Sequence, residues 1–305
     1  MKILCFRNSR LGDFLISIPA IKLIKKKYPD SKIYFLTDNN ITLKQMSLTL
    51  KNNKLIHKFI FYRFCLNGIF NLFKYLKKEK FDYVYNLQDA DGFFRQFRNF
   101  SYFHFCGCKK KKSFFYRRTG FENNFETLQL ARRVSNNINL NDIKKIDLQI
   151  KEFDKKPIIS GKYITISPGG NSSPCLWSLN NWKLLITKIL NFYKIKIIIV
   201  GNSSENIKGD ILKKVKYEKI QNYCGKTNID ELFNIIKHSS LHITNDNGSM
   251  HVATLFKKKT ICLFNNHDPK GKWFPLNENA NVVWSNKGIK HISHYKVFKE
   301  VNNFF

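Results

Sequence analysis

A strand, a glycine-bearing loop and a helix, closed by a second strand, open the chain and constrain its fold more than any other feature. Residues 2–6 form an apolar run and 8–13 are largely polar with one glycine. Phe14, Leu15, Ile18, Ile21 and Ile24 then recur at helical spacing until Lys25–Lys27 and Pro29 end the pattern. Residues 33–37 supply the next apolar run. Two strands joined by a helix within about 35 residues lie parallel, with a right-handed crossover. Residues 81–87 (FDYVYNL) read as a further strand, preceded by a basic amphipathic stretch over 66–78. The middle, 106–133, reads as a charged loop leading into a helix over 125–134, and 142–157 is polar and lysine-rich.

The alternation then restarts. Residues 163–167 predict a strand ending in Pro168-Gly169-Gly170, 182–192 a helix, and 195–200 an almost unbroken apolar strand of the kind parallel sheets bury. Asn228 and Glu231 have capping-box spacing ahead of LFNIIKHS. A strand over 241–244, a helix over 250–256 and a strand over 260–264 follow. The expected architecture is α/β, with two Rossmann-like domains, 1–157 and 158–305, facing a cleft. A length of 305 residues agrees with two domains at roughly 100–200 residues each.

Composition narrows the function classes. Apolar residues make up 43% and aromatics 15%, which excludes a disordered chain. The net charge of +31 excludes indifference to polyanions, and nucleic acid, anionic lipid headgroups and phosphorylated glycans all fit. Lysine is enriched together with Asn, Ile and Phe, as in KIKIIIVGN, which also fits a coding bias that leaves lysines on solvated faces. The seven cysteines are odd in number, and no pair has C-x-x-C spacing. Cys5, Cys224 and Cys262 sit in or beside apolar runs as core thiols, in keeping with a reducing compartment. Arg7, Arg10 and Asp13 interrupt any leader-like apolar region, and no stretch of 18 uncharged apolar residues exists. A cytoplasmic protein held to a membrane surface by charge is the expectation.

Three loops carry candidate chemistry, each at the carboxyl end of an expected strand, where open α/β sheets bind ligands. In Thr244-Asn245-Asp246-Asn247-Gly248-Ser249-Met250-His251, helix-start N–H groups favour a phosphate, and Gly248 permits a tight turn with positive φ. Asp246, Asn247 and Ser249 can orient the turn and His251 can reach the same anion; the plain alternative is a capped strand–helix turn. Pro168-Gly169-Gly170-Asn171-Ser172-Ser173 can cradle a second phosphate, though glycine turns commonly end strands. Gly12-Asp13 offers a general base or, more commonly at such a place, a helix cap. Glu205 follows the strand ending in Val200-Gly201 and is a candidate for a ribose.

Other patterns fail. Gly225-Lys226-Thr227 ends like a P-loop, but Ile220 stands where the first glycine belongs. Asp89-Ala90-Asp91 is a D-x-D triplet, a spacing chance often produces. His238 and His242 straddle a helix–strand boundary and lack the H-E-x-x-H glutamate, so zinc is not expected. Lys109–Lys112, Arg117 and Arg118, interleaved with Phe114, Phe115 and Tyr116, suit RNA, an acidic substrate or lipid, or plain solvent.

Taken in order, RNSRLGDFLISIPAI, FDYVYNLQ, SPGGNSSPCLWS, CGKTNIDEL, TNDNGSMHVA and LFNNHDP span essentially the whole chain. The set resembles glycosyltransferase family 9, the lipopolysaccharide heptosyltransferases; its first and fifth motifs are the specific ones. The resemblance implies a GT-B fold and inverting, metal-independent transfer of a heptose from an ADP-sugar to a lipid-linked glycan, with no cofactor. It implies Asp13 as general base, Asp246, Asn247, Gly248 and His251, with Ser249 and Met250 in the same turn, at the donor phosphates, and Gly170 and Asn171 in the other diphosphate loop. An acidic acceptor suits Arg10, Gly12, Lys111, Arg117 and Arg118. No specific nucleic acid and no metal are expected. Cys175 stands where the family carries a diphosphate lysine, and Ser178 where it carries proline. Lys183 and Lys226 are the sequence candidates for a replacement cation. A catalytically degenerate glycan binder and a basic nucleic-acid binder are the alternative readings.

Overall fold

The computed structural model describes every residue except Asn52, 89–91, 117–124, Gln149, Lys151, Glu152, Asp154, Asn171 and Ser172, and of Ser173 the backbone alone. The D-x-D triplet 89–91, Arg117, Arg118 and Asn171 therefore lie outside the described residues. The chain forms two compact units, Met1–Leu148 and Gln149–Phe305.

The first unit runs β1 (Lys2–Phe6), α1 (Leu11–Lys27), β2 (Lys32–Asp38), α2 (Ile41–Thr49), β3 (Lys58–Tyr62), α3 (Leu66–Glu79), β4 (Tyr83–Asn86), α4 (Phe93–Phe105), β5 (Lys110–Lys112), α5 (Glu126–Arg132) and α6 (Leu140–Lys144). Its sheet has the order β3-β2-β1-β4-β5, with every pairing parallel. Strand alternation sends Leu4, Phe6, Tyr34 and Leu36 to one face, where they pack with Leu72 and Leu76 of α3 and Phe103 of α4. The charged loop expected over 106–133 is in part a strand. Lys110–Lys112 pairs with β4 at the sheet edge, where backbone bonding suffices and lysines discourage further pairing.

The second unit runs β6 (Tyr163–Ser167), α7 (Leu179–Phe192), β7 (Lys196–Ile199), α8 (Asn206–Lys213), β8 (Ile220–Asn222), α9 (Ile229–His238), β9 (Leu241–Asn245), α10 (Gly248–Leu255), β10 (Thr260–Asn265), β11 (Ala280–Ser285) and α11 (His294–Asn302). The order β11-β10-β9-β6-β7-β8 is that of a doubly wound nucleotide-binding sheet, and all its pairings are parallel. Ile164, Ile166, Ile197 and Ile199 face α7 and α11, burying Trp182, Leu185, Ile189, Val297 and Val301. Ile198 and Val200 point the other way, onto Ile235 of α9. The segment before β6 packs with this unit: Phe153 lies on Phe233, and Lys155 pairs with Asp230 at 2.7 Å. Asn228 and Glu231 form the expected capping box at the start of α9.

Candidate active site

In each unit the strand order reverses at one place, and the loops leaving the strands there part to form a crevice. In the first unit that place lies between β1 and β4. Arg7, immediately after β1, is buried and donates to the Leu87 carbonyl beyond β4. Its guanidinium stands 3.4 Å from Asp13 Oδ1 and 3.6 Å from Glu126 Oε1. Asp13 is the third residue of α1, and its Oδ2 accepts the Arg10 backbone N–H at 3.1 Å. The capping role weighed for Asp13 is thus realised, while its side chain stays 32% exposed. Arg133 donates to the Asn86 carbonyl at 3.0 Å, with its guanidinium 4.8 Å from the centre of the Tyr116 ring.

Arg10 is the residue that caps α1 and Gly12 is the second residue of that helix, next to Asp13. Lys111 does not join them. It lies on β5, two strands from β1, with Nζ donating to the Cys108 carbonyl at 3.2 Å and 5.4 Å from the Phe100 ring centre. Arg7, Glu126 and Arg133 were not picked out by sequence reasoning. Arg7 had a signal: a charged residue set directly after an apolar strand.

In the second unit the reversal lies between β6 and β9, and here two of the expected loops meet. Asn245 Nδ2 donates to the Pro168 carbonyl at 2.8 Å. Asn247 Nδ2 donates to the Gly169 carbonyl at 2.9 Å and to Ser167 Oγ at 3.0 Å. Asn247 also caps α10, its Oδ1 accepting Ser249 N at 2.9 Å and Ser249 Oγ at 2.6 Å. Behind the cap, buried His242 bridges Ser249 Oγ and Thr165 Oγ1, each at 2.9 Å. Burial lowers the His242 pKa to about 3, so the ring is a neutral link between two hydroxyls.

Two expectations for this turn are corrected. Gly248 is not at positive φ; it is the first residue of α10, and Asn247 before it is in extended backbone at φ −157°. Met250 is fully buried against Cys262 and Phe264, so it contributes packing rather than a ligand-facing surface. His251 is buried as the fourth residue of α10.

Glu205 braces the glycine loop. Its carboxylate accepts Asn202 N at 2.9 Å and the Gly170 backbone N–H. A side chain at Gly169 or Gly201 would run into that carboxylate, which is why both positions are glycine. Burial raises the Glu205 pKa from its ordinary value, against the pull of these N–H groups and Lys208.

Asp246 borders a shallow recess, lined also by Cys175, Asn265, Asp268, Lys270, Lys272 and Trp273. Burial, helped by the negative charge of Asp268 and opposed by Lys272, pushes the Asp246 carboxyl up to about 7. Lys272 Nζ holds Asp268 Oδ1 at 3.3 Å. Neither Lys183 nor Lys226 lines this recess, whereas Lys270 and Lys272 do, beside the buried Cys175. The LFNNHDP motif marked the neighbourhood, but spacing alone could not bring these lysines to Asp246. Among the described residues, no group of three His, Cys, Asp or Glu side chains is placed to hold a metal ion.

The profile of glycosyltransferase family 9 (heptosyltransferase) matches residues 113–301. Lipooligosaccharide heptosyltransferase 2 of Campylobacter jejuni is 25% identical over 296 residues, 93% of this chain and 86% of its own length. Among solved structures, the Escherichia coli ADP-heptose LPS heptosyltransferase II superimposes with a TM-score of 0.76 at 17% identity, covering 100% of this chain and 98% of that one. The Escherichia coli heptosyltransferase WaaC with ADP gives 0.77 at 13% identity, covering both chains completely. These whole-length likenesses show the GT-B fold.

Proposed function

The chain belongs to glycosyltransferase family 9, and on that footing we propose that it moves a heptose from ADP-heptose to an acidic, lipid-linked glycan of the lipopolysaccharide core type. The observation that carries the donor half of this reading is the junction of two loops at the β6–β9 reversal, Asn247 holding Gly169 while capping α10. Such a junction presents helix-start N–H groups to a diphosphate. The relatives support the donor: one is named an ADP-heptose transferase and another is described with ADP.

In the proposed reaction the acceptor hydroxyl attacks the anomeric carbon as Asp13 takes its proton, and the bond to the diphosphate breaks with inversion. Arg7 and the Arg10 N–H hold the Asp13 carboxylate in place. The departing ADP carries the developing negative charge. The α10 N-terminus and Lys272 stabilise it without a metal, Lys272 standing in for the cation absent at Cys175. A carboxylate has about four acceptor positions. Glu205 uses two on backbone N–H groups, which leaves capacity for ribose hydroxyls. Acceptor recognition is assigned to the first unit, Met1–Leu148, with Arg10, Gly12, Arg117 and Arg118, and donor binding to the second. No helix among the described residues is long and apolar enough to cross a membrane. We place the enzyme at the cytoplasmic face of the membrane that carries its acceptor.

A thermal-shift panel with ADP, UDP, GDP, CMP, ADP-heptose and a short RNA tests this reading, since a ligand of the native state raises the melting temperature by mass action. Selective stabilisation by ADP, larger with ADP-heptose, is expected. A UDP- or GDP-selective response changes the donor, and a response to RNA alone overturns the reading. Lys272→Met is expected to lower kcat about 100-fold, a typical loss for one leaving-group donor. The buried Cys175 favours a second reading, a binder that performs no transfer; donor-dependent product from the purified chain excludes it.

A further inference from the structure

The first unit carries an apolar and basic face that the transfer chemistry does not use. It is built from α3, α4 and the residue leading into α3. Leu66 is 88% exposed, Phe94 87% and Phe64 73%, and Phe70, Phe93 and Phe97 are each more than half exposed. On α3, Leu66, Phe70 and Lys74 fall four residues apart, and on α4, Phe97 and Arg98 lie three and four residues after Phe94. Each set makes one helical stripe. The two helices are tied together beneath that surface. Tyr102 Oη donates to the Ile69 carbonyl at 2.9 Å, and the Phe73 and Tyr102 rings meet edge-on.

Outside, the rings and cations interleave. The Arg98 guanidinium stands over Phe64 at 5.9 Å and Lys74 over Phe70 at 4.4 Å. Phe93 stacks on Phe97 and touches Phe94 and Phe115. No acidic residue occurs from 63 to 78 or from 92 to 112. Of the acids in the intervening sequence, Glu79 pairs with Lys2 at 2.7 Å and Asp82 with Lys109 at 2.8 Å, while Asp89 and Asp91 lie outside the described residues.

Water is a poor solvent for such a cluster of rings, and exposed apolar patches of this kind mark contact surfaces. The charge decides the partner. Phenylalanine and leucine on the outer faces of amphipathic helices suit the boundary between headgroups and acyl chains. Arginine and lysine beside them extend to anionic phosphates. We propose that α3 and α4 form the surface by which this enzyme docks on an anionic lipid bilayer. The inference deepens the reading of a membrane-borne acceptor and rests on it.

Flotation of the full chain with vesicles tests the inference. The chain is expected to float with phosphatidylethanolamine–phosphatidylglycerol vesicles and not with phosphatidylcholine alone, and added salt should weaken the binding. The double variant Phe94→Ser with Phe97→Ser should lower partitioning about tenfold or more. Arg98→Gln should lower it about fivefold, the worth of one cation near such a surface. Phe192→Ser, an exposed position of the second unit, should leave it unchanged. ADP-dependent stabilisation, measured without vesicles, should be the same in all of these variants. Absent flotation, equal binding to neutral vesicles, or flotation indifferent to the Phe94 and Phe97 changes overturns the proposal. So does a dimer, or an RNA complex, that those changes dissolve in place of vesicle binding. A chain that floats but gains nothing from ADP instead overturns the transfer reading and leaves this surface standing.

Discussion

Asp13 has one observed job and one proposed job, and they can be separated. As the third residue of α1 it accepts the Arg10 N–H, and as the proposed base it takes a proton. Asparagine can still accept the capping bond but is no base. Asp13→Asn should therefore keep the fold and the ADP-dependent thermal shift while kcat falls about 10²–10⁴-fold. Asp13→Ala should add about 1 kcal/mol of lost cap stability. Turnover retained by a clean Asp13→Asn preparation removes the catalytic role. Two other residues imprint opposite pH trends on stability. Asp246 has its pKa raised from 3.8 to about 7, so its protonated form is favoured in the folded state. The stability it contributes is full below about pH 4 and is lost as pH rises toward 7. His242 is lowered from 6.5 to about 3, so its contribution is full above pH 6.5 and is lost as pH falls toward 3. Denaturation midpoints of the ligand-free protein should reveal both. Asp246→Asn should remove the decline between pH 4 and 7, and His242→Gln should remove the decline below 6.5. Unchanged slopes in both variants would contradict these assignments.

At the level of elements, the glycine loop after β6 is set by what lies behind it. Because the Glu205 carboxylate fills the space a Cβ would need at Gly169, Gly169→Ala should cost about 1–3 kcal/mol by overpacking and should also blunt ADP stabilisation. A variant as stable and as ADP-responsive as the parent would show that the brace does not matter. The loops themselves were legible in the sequence, because a polar, glycine-bearing stretch after an apolar run is a local signal. So were the buried strands: β1 and β6 begin and end where their apolar runs do. β5 was not, because Lys-Lys-Lys carries no apolar pattern and only its backbone pairs with β4. Nor was α4 legible, because a phenylalanine-rich stretch with most of its rings in solvent does not show the face that water normally selects. The partners inside the sites were the least legible. Asn247 reaches Gly169, Arg7 reaches Glu126, and Lys272 shares a recess with Cys175 because strand order brings them there. Sequence spacing holds no trace of it.

For the molecule as a whole, each unit has its own sheet and its own buried core, and the chemistry proposed here divides along the same line. Hydrogen exchange should report that division. ADP is expected to slow exchange over β6, the glycine loop, β9 and α10, with the larger part of the new protection in residues 149–305. Protection spread equally over residues 1–148 would contradict a donor site carried by the second unit. The parallel topology also bears on how the protein is made. β6 is buried along its whole length, and it lies between β7, which follows soon after it, and β9, with Thr165 hydrogen-bonding to a carbonyl 76 residues downstream. On the ribosome, at about 5–20 residues per second, an apolar strand must wait several seconds for that second neighbour. During the wait it is a sticky segment of a nascent chain, while the first unit, already delivered in full, is free to fold. Trigger-type chaperones should therefore hold this protein by its second unit.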